Sequence, residues 1–232
     1  MQLVLIHGAY MGAWVWDAIA PELERLGHSV VAVDLPIGDS TAGGAAYART
    51  VLDAVDWSVP TVLVAHSLGG LVAPLVAAER RVARIVFVAA LLPAPGASVN
   101  DQRGRERIDA PTALVTAQFT DLGEGVWEIG ADTATELFWH DAEPEIAAAA
   151  AARLRPQAYR AMTEVTPLTA WPSVDSAYIA CRDDHATDPE WERSAARDRL
   201  GVAAVEIDGG HSPMITRPAE LATLIDRLAT GA

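Results

Sequence analysis

Lysine is absent from this chain: all 17 basic residues are arginine. Every mechanism built on a Schiff base or a lysine nucleophile is thereby excluded. Cysteine is almost as scarce. Cys181 stands alone, which rules out an internal disulfide and a zinc site built on cysteines. No apolar run approaches the roughly 18 residues of a membrane-spanning helix. Residues 3–6 are too short an apolar stretch, without a basic flank, to serve as a secretory leader. Positive charge is in deficit, 31 acids facing 17 bases for a net charge of −14, and no basic cluster relieves it. Nucleic acid and anionic membrane surfaces are poor partners for such a chain. What remains is a 232-residue sequence, 51% apolar and 21% charged, which is enough for one cytoplasmic globular domain with a substantial core.

Apolar periodicity gives the architecture. Residues 3–6, 29–33, 61–65 and 84–90 read as buried strands, and residues 13–26, 45–55 and 68–79 between them read as helices. Strands alternating with helices require right-handed crossovers and a parallel sheet covered on both faces. The rhythm stops at Pro93 and resumes after Pro172, with strands expected at 176–181 and 202–207 and helices at 189–199 and 213–228. Residues 1–92 and 173–232 therefore form the α/β core. Residues 93–172, with few β signals and an alanine run at 147–152, are expected to be a helical lid inserted over the carboxyl edge of the sheet.

One segment carries a chemical signature. In Val64-Ala65-His66-Ser67-Leu68-Gly69-Gly70 an apolar strand runs into a serine with small residues two positions before and two after it, and a helix follows. A tight strand-to-helix turn of this kind forces the serine into a strained, outward-facing conformation and tolerates no bulk beside it. Such a serine needs a histidine to take its proton and an acid to orient that histidine. In this topology they follow in the order serine, acid, histidine. His211, in Gly209-Gly210-His211-Ser212 after the last strand, fits the base. The loop after strand 176–181 offers Asp184 for the acid, with Asp183 as the alternative; Asp208 lies too near His211 along the chain to be preferred. The oxyanion would be held by the amides of Leu68 and of Ala9, the latter in His7-Gly8-Ala9-Tyr10 after the first strand.

Other features read more plainly. The strand, the glycines after it and Asp34 imitate a dinucleotide-binding turn, but Tyr10 stands where the fingerprint needs a glycine, so no cofactor is expected. No metal site is expected either. His66 fills the variable slot beside the serine, with its side chain directed away. Tyr10, Trp127, Phe138 and Trp139 are the expected walls of an apolar substrate pocket under the lid. Arg103, Arg105 and Arg107 read as a solvated charged stretch, and Cys181 as a buried small hydrophobe.

Taken together these residues resemble the α/β-hydrolase superfamily across nearly the whole chain. More narrowly, the sequence is similar to the plant-type methylesterase and hydroxynitrile lyase group. That similarity rests on Leu5-Ile6-His7-Gly8, Gly12-Ala13-Trp14-Val15-Trp16, Leu137-Phe138-Trp139, Tyr178-Ile179-Ala180-Cys181 and Gly210-His211-Ser212-Pro213. The resemblance implies a sheet of about six strands beginning near residue 2, and chemistry without metal or cofactor. Hydroxynitrile lyases of this group carry a threonine after the first-strand histidine and a lysine after the catalytic histidine. Here those places hold Gly8 and Ser212. The resemblance therefore implies an ester hydrolase, and the net charge of −14 disfavours large anionic substrates in favour of a small, fairly apolar ester. A lyase or cyclase using the same serine and histidine is the second reading, and a non-catalytic small-molecule binding protein the third. The Ala- and Arg-rich composition is compatible with a high-GC bacterium.

Overall fold

The structure, a computed structural model, describes residues 1–106 and 111–231. Nine strands occur among them: β1 (Gln2–Ile6), β2 (Ser29–Val33), β3 (Thr61–His66), β4 (Arg84–Val88), β5 (Phe119–Gly123), β6 (Val126–Ile129), β7 (Gln157–Ala158), β8 (Ser176–Cys181) and β9 (Val205–Ile207). The α-helices are α1 (Ala20–Arg25), α2 (Gly44–Ala54), α3 (Ala73–Glu79), α4 (Val99–Glu106), α5 (Thr112–Thr116), α6 (Ala131–Phe138), α7 (Pro144–Ala151), α8 (Arg160–Thr163), α9 (Pro189–Ala195), α10 (Pro213–Thr216) and α11 (Pro218–Thr230). Six strands form one sheet in the order β2-β1-β3-β4-β8-β9, and every pairing in it is parallel. None of the described helices is long and apolar enough to cross a membrane.

The unbroken apolar runs of the central strands follow from burial on both faces. Val4, Ile6, Leu63 and Ala65 join the core beneath α2, α3 and α9. Leu3, Leu5, Val62 and Val64 alternate with them and face Trp16, Leu23 and the apolar side of α11. Every expected strand is present, although β4 ends at Val88 rather than 90 and β9 begins at Val205 rather than 202. Three of the expected helices are interrupted beside a proline, among them 68–79, where a 3₁₀ turn, Ser67–Leu71, precedes α3 with Pro74 in its first turn; a fourth, 189–199, passes from α9 into a π-helical turn, Ala196–Leu200. The 213–228 stretch divides at Arg217 (φ −140°, ψ 50°) because Pro218 excludes the residue before it from helical geometry. In 13–26 a single 3₁₀ turn, Ala13–Trp16, is followed by α1, which starts with Pro21 in its first turn.

The inserted segment corrects the expectation of a purely helical lid. It contains a small antiparallel sheet, β5-β6-β7, beside its helices. At its two-residue hairpin turn, Gly123, Glu124 and Gly125 have three successive positive φ angles (88°, 53° and 74°), which two glycines accommodate. That Gly-x-Gly was the legible signal; the flanking strands are short and mostly exposed, so their alternation is faint. The segment does not stand apart from the core: Val99, Ala161 and Leu168 pack into one apolar cluster, and Ala134, Leu137 and Trp139 into the other.

β1 is the pivot of the sheet. The chain leaves it toward β2 on one side and later returns to place β3 on its other side. Connections diverge there, opening a crevice outside the carboxyl ends of β1 and β3.

Candidate active site

The loop after β1 and the turn after β3 meet at this crevice. Ser67 sits at φ 51°, in the left-handed region that costs a non-glycine residue of order 1–3 kcal/mol. Packing holds it there. A Cβ at Gly69 would lie 2.7 Å from the Ile6 carbonyl oxygen, and one at Gly70 only 2.0 Å from that of Leu91. Both strand ends thus press on the turn, and the Leu91 amide donates to the Ser67 carbonyl at 3.0 Å. Gly8 is bare for a related reason: a Cβ there would approach Ser67 Cβ to 2.9 Å.

His211 and Asp184 come together across the β8 and β9 loops. His211 Nδ1 lies 2.6 Å from Asp184 Oδ2, and both residues are buried. The other carboxylate oxygen, Oδ1, accepts from the amides of Ala186 (2.7 Å) and Thr187 (2.8 Å). The carboxylate is thus aimed from behind, and Nδ1 of His211 is the protonated nitrogen. Asp183, the alternative acid, is exposed; its amide donates to Gly209 and its carbonyl accepts from His140. Asp208 is also exposed and pairs with Arg182 at 2.7 Å.

Two further histidines are structural neighbours of the site. His66 is fully buried and directed away from the cavity, with Nε2 donating to the His211 carbonyl at 2.9 Å and its ring 4.8 Å from the His211 ring. His7 Nδ1 donates to the Gly8 carbonyl (2.8 Å), and Nε2 accepts from the Leu35 amide (3.0 Å). Burial pushes His7 down to about 4, so it is neutral at physiological pH and holds one tautomer.

A cavity of about 610 Å³ opens over these residues. Ala9, Ser67, Leu68 and His211 border it on the sheet side, while Tyr10, Phe119, Trp127 and Phe138 form much of the apolar wall. Tyr10 stacks between Phe119 (5.8 Å) and Phe138 (6.4 Å), and burial pushes its hydroxyl up to about 12. Of the four expected wall residues, Trp139 is misplaced. It ends α6, one residue past Phe138, and turns into the core with no solvent exposure. Arg103 also departs from expectation. Rather than lying in a solvated stretch, it is half-buried on the cavity wall, without an ionic partner among the described residues; burial lowers its guanidinium. Gln102 beside it is buried and bonded to Ala94 and Leu92, which fixes α4 over the cavity. Arg105 is exposed, and Arg107 lies outside the described residues.

Two residues of the insertion had no sequence signal. Arg155 grips Asp34 with two bonds of 3.0 Å and the Met11 carbonyl with two more (2.9 and 2.7 Å). Gln157 Oε1 accepts from the Tyr10 amide at 3.4 Å. Together they clamp the β1 loop, where Tyr10 has a φ of 61°. Asp34, the imitation of a ribose-binding acid, is engaged by Arg155 and by the Ala13 amide. Among the described residues there is no cluster of three or more His, Cys, Asp or Glu able to hold a metal ion.

The chain is also similar to known proteins. The chain is 29% identical to methylesterase 7 of Arabidopsis thaliana over 262 residues, covering 98% of this chain and 96% of that protein. It is 28% identical to salicylic acid-binding protein 2 of Nicotiana tabacum, covering 97% and 96%. These relatives are from plants and lend no support to a bacterial source. In fold it is similar to the crystal structure of a pyrethroid hydrolase from Sphingobium faniae, with a TM-score of 0.80, 24% identity, and coverage of 99% and 97%. The model of the alpha/beta hydrolase family matches residues 3–224.

Proposed function

The chain belongs to the alpha/beta hydrolase family, and we propose that it is a serine carboxylesterase acting on a small, fairly apolar ester. The observation that carries this reading is the strained Ser67 on the wall of the same cavity as His211, which is backed by the buried Asp184. Similarity to methylesterases supports the choice of an ester. Ser67 Oγ attacks the ester carbonyl and His211 Nε2 takes its proton. Asp184 stabilises the resulting imidazolium through the 2.6 Å contact to Nδ1. The amides of Ala9 and Leu68 hold the oxyanion. His211 then returns the proton to the departing alkoxide, and an acyl group remains on Ser67. Water, deprotonated by His211, releases the acid and restores the serine. The wall of Tyr10, Phe119, Trp127 and Phe138 receives the apolar body of the substrate.

Incubation with a fluorophosphonate, followed by mass spectrometry, tests the nucleophile: stoichiometric labelling at Ser67 is expected. Hydrolysis of short and aryl esters through a trapped acyl–Ser67 adduct tests the reaction. Turnover without an adduct would favour the lyase or cyclase reading, and absence of both labelling and turnover would leave only a binding protein.

A further inference from the structure

Glu192 is fully buried on α9, and neither of its carboxyl oxygens finds a hydrogen-bond donor among the described residues. The Cys181 amide approaches it without reaching hydrogen-bond geometry. A carboxylate cannot remain charged in such a place without a cation or donors to replace its water. The acid that acts on it most directly is Asp184. Burial and that neighbouring charge both push Glu192 well above the usual carboxylate range.

The donor arrangement distinguishes the two acids. A carboxylate offers about four acceptor positions. Three on Asp184 are filled, by the Ala186 and Thr187 amides and by His211 Nδ1. All three of these bonds run from a donor to the Asp184 carboxylate, whereas Glu192 has no such bond among the described residues. A protonated Glu192 has one O–H to give, and Asp184 has one position left to receive it. The backbone fixes the approach: α9 begins five residues after Asp184, Asp188 caps it through the Glu190 amide (3.0 Å), and the Glu192 amide donates to the Asp188 carbonyl (3.0 Å).

We infer that Glu192 is a positioning residue: a neutral carboxyl that donates a hydrogen bond to the Asp184 carboxylate and holds it against His211. The catalytic part of this inference rests on the proposed esterase reaction. Among the described residues, Asp184, Tyr178 and Cys181 on or beyond β8, and Arg193 on its own helix, are the titratable or charged groups acting on Glu192. Burial pushes Tyr178 and Cys181 well up, so neither ionises near neutral pH. Arg193 turns outward to Glu206 at 3.0 Å.

The experiment compares Glu192→Gln, which keeps a neutral donor, with Glu192→Leu, which keeps only volume, in the full chain. Three readouts are taken: ester turnover, the downfield proton resonance of His211 Nδ1–H, and Tm against pH. Glu192→Gln is expected to keep kcat within about threefold and to preserve the resonance. Glu192→Leu is expected to shift or broaden the resonance and to lower kcat roughly tenfold or more at nearly constant KM. Wild-type Glu192 stays protonated in the folded state but ionises in the unfolded chain above about pH 4.3. Wild-type stability should therefore fall relative to Glu192→Gln as pH rises from 5 to 8. Parallel Tm curves would show that Glu192 is not held neutral. Equal losses of activity and resonance in Gln and Leu variants would show that the charge, not the donor, is needed. Either result overturns the inference. If Glu192→Leu does not fold, the Gln variant still decides through its Tm curve and resonance. Should wild-type protein neither label at Ser67 nor hydrolyse esters, the esterase reading falls. The Tm curves and the resonance would still test the Glu192–Asp184 bond.

Discussion

The two walls of the cavity are built by different means. On the sheet side, position is set by backbone: two parallel strand ends, glycines with no room for a Cβ, and buried polar groups bonded to one another. On the insertion side, position is set by side chains on short helices and a two-residue-turn hairpin, beside which Leu122, Tyr159 and Val165 stay exposed. The difference assigns chemistry to the first wall and selectivity to the second. A reacting group must be held to a fraction of an ångström, which backbone packing supplies. An apolar wall can be reshaped residue by residue without touching that geometry.

If that division is right, the sheet wall should show all-or-none losses. Ser67→Ala should lower kcat by about 10⁴–10⁶-fold with Tm nearly unchanged, since alanine keeps the same backbone. Asp184→Asn comes next. It preserves shape but offers His211 Nδ1 a group that cannot stabilise an imidazolium, and a loss of about 10³–10⁴ in kcat is expected, with KM steady. Steady-state kinetics on one aryl ester checks both. A variant of either kind that loses KM rather than kcat would dissolve the distinction between the walls.

The backbone itself can be tested through folding. Gly70→Ala places a Cβ 2.0 Å from the Leu91 carbonyl oxygen. Neither atom is the end of a flexible side chain, so the turn must move, and a cost of about 3 kcal/mol or more is expected in urea unfolding. His7 gives a related effect in acid. It is neutral when folded, with a value near 4, against about 6.5 when unfolded. Between those values the unfolded chain binds the extra proton, so His7's contribution is complete above about pH 6.5 and is lost as pH falls toward 4. The loss is of order 3 kcal/mol. His7→Asn should flatten the acid limb of the stability curve, and an unchanged limb would contradict the buried neutral tautomer.

The same contrast explains what was legible in the sequence. Strands buried on both faces announce themselves as unbroken apolar runs, so residues 3–6 and 61–65 are placed by periodicity alone. Ser67 was legible because close approach demands small neighbours, and that demand is written in Gly69 and Gly70. The insertion carries no such demand. Phe138 and Trp139 are adjacent aromatics, and a helix end sends one to the cavity and the other to the core. Only the exit geometry of α6 decides which. Arg103 lies in a charged stretch that reads as solvated and Glu192 in an expected helix, yet one borders the cavity and the other is fully buried. Burial of a charged residue is a tertiary fact without a local pattern. Arg155 and Gln157 reach back 121 and 147 residues to Asp34 and Tyr10, a separation that no spacing rule covers.

The smallest effects belong to the insertion wall. Phe138 packs 5.8 Å from the His211 ring and 6.4 Å from Tyr10, so Phe138→Ala widens the cavity next to the reacting atoms without removing one. KM for bulky aryl esters should rise about tenfold, with kcat within about threefold, as expected for lost apolar contact of 1–2 kcal/mol. Arg103→Met should act less, within about threefold on KM for neutral esters, because a guanidinium has nothing ionic to grip there. Trp139→Phe sharpens the comparison from the opposite direction. Trp139 lies in the core with no exposure, and its indole N–H has no partner among the described residues, so no polar bond is broken. It should cost stability through lost packing and leave KM unchanged. If instead Trp139→Phe moved KM while Phe138→Ala did not, the two aromatics would have to exchange places, and the insertion would close over Ser67 by a different face.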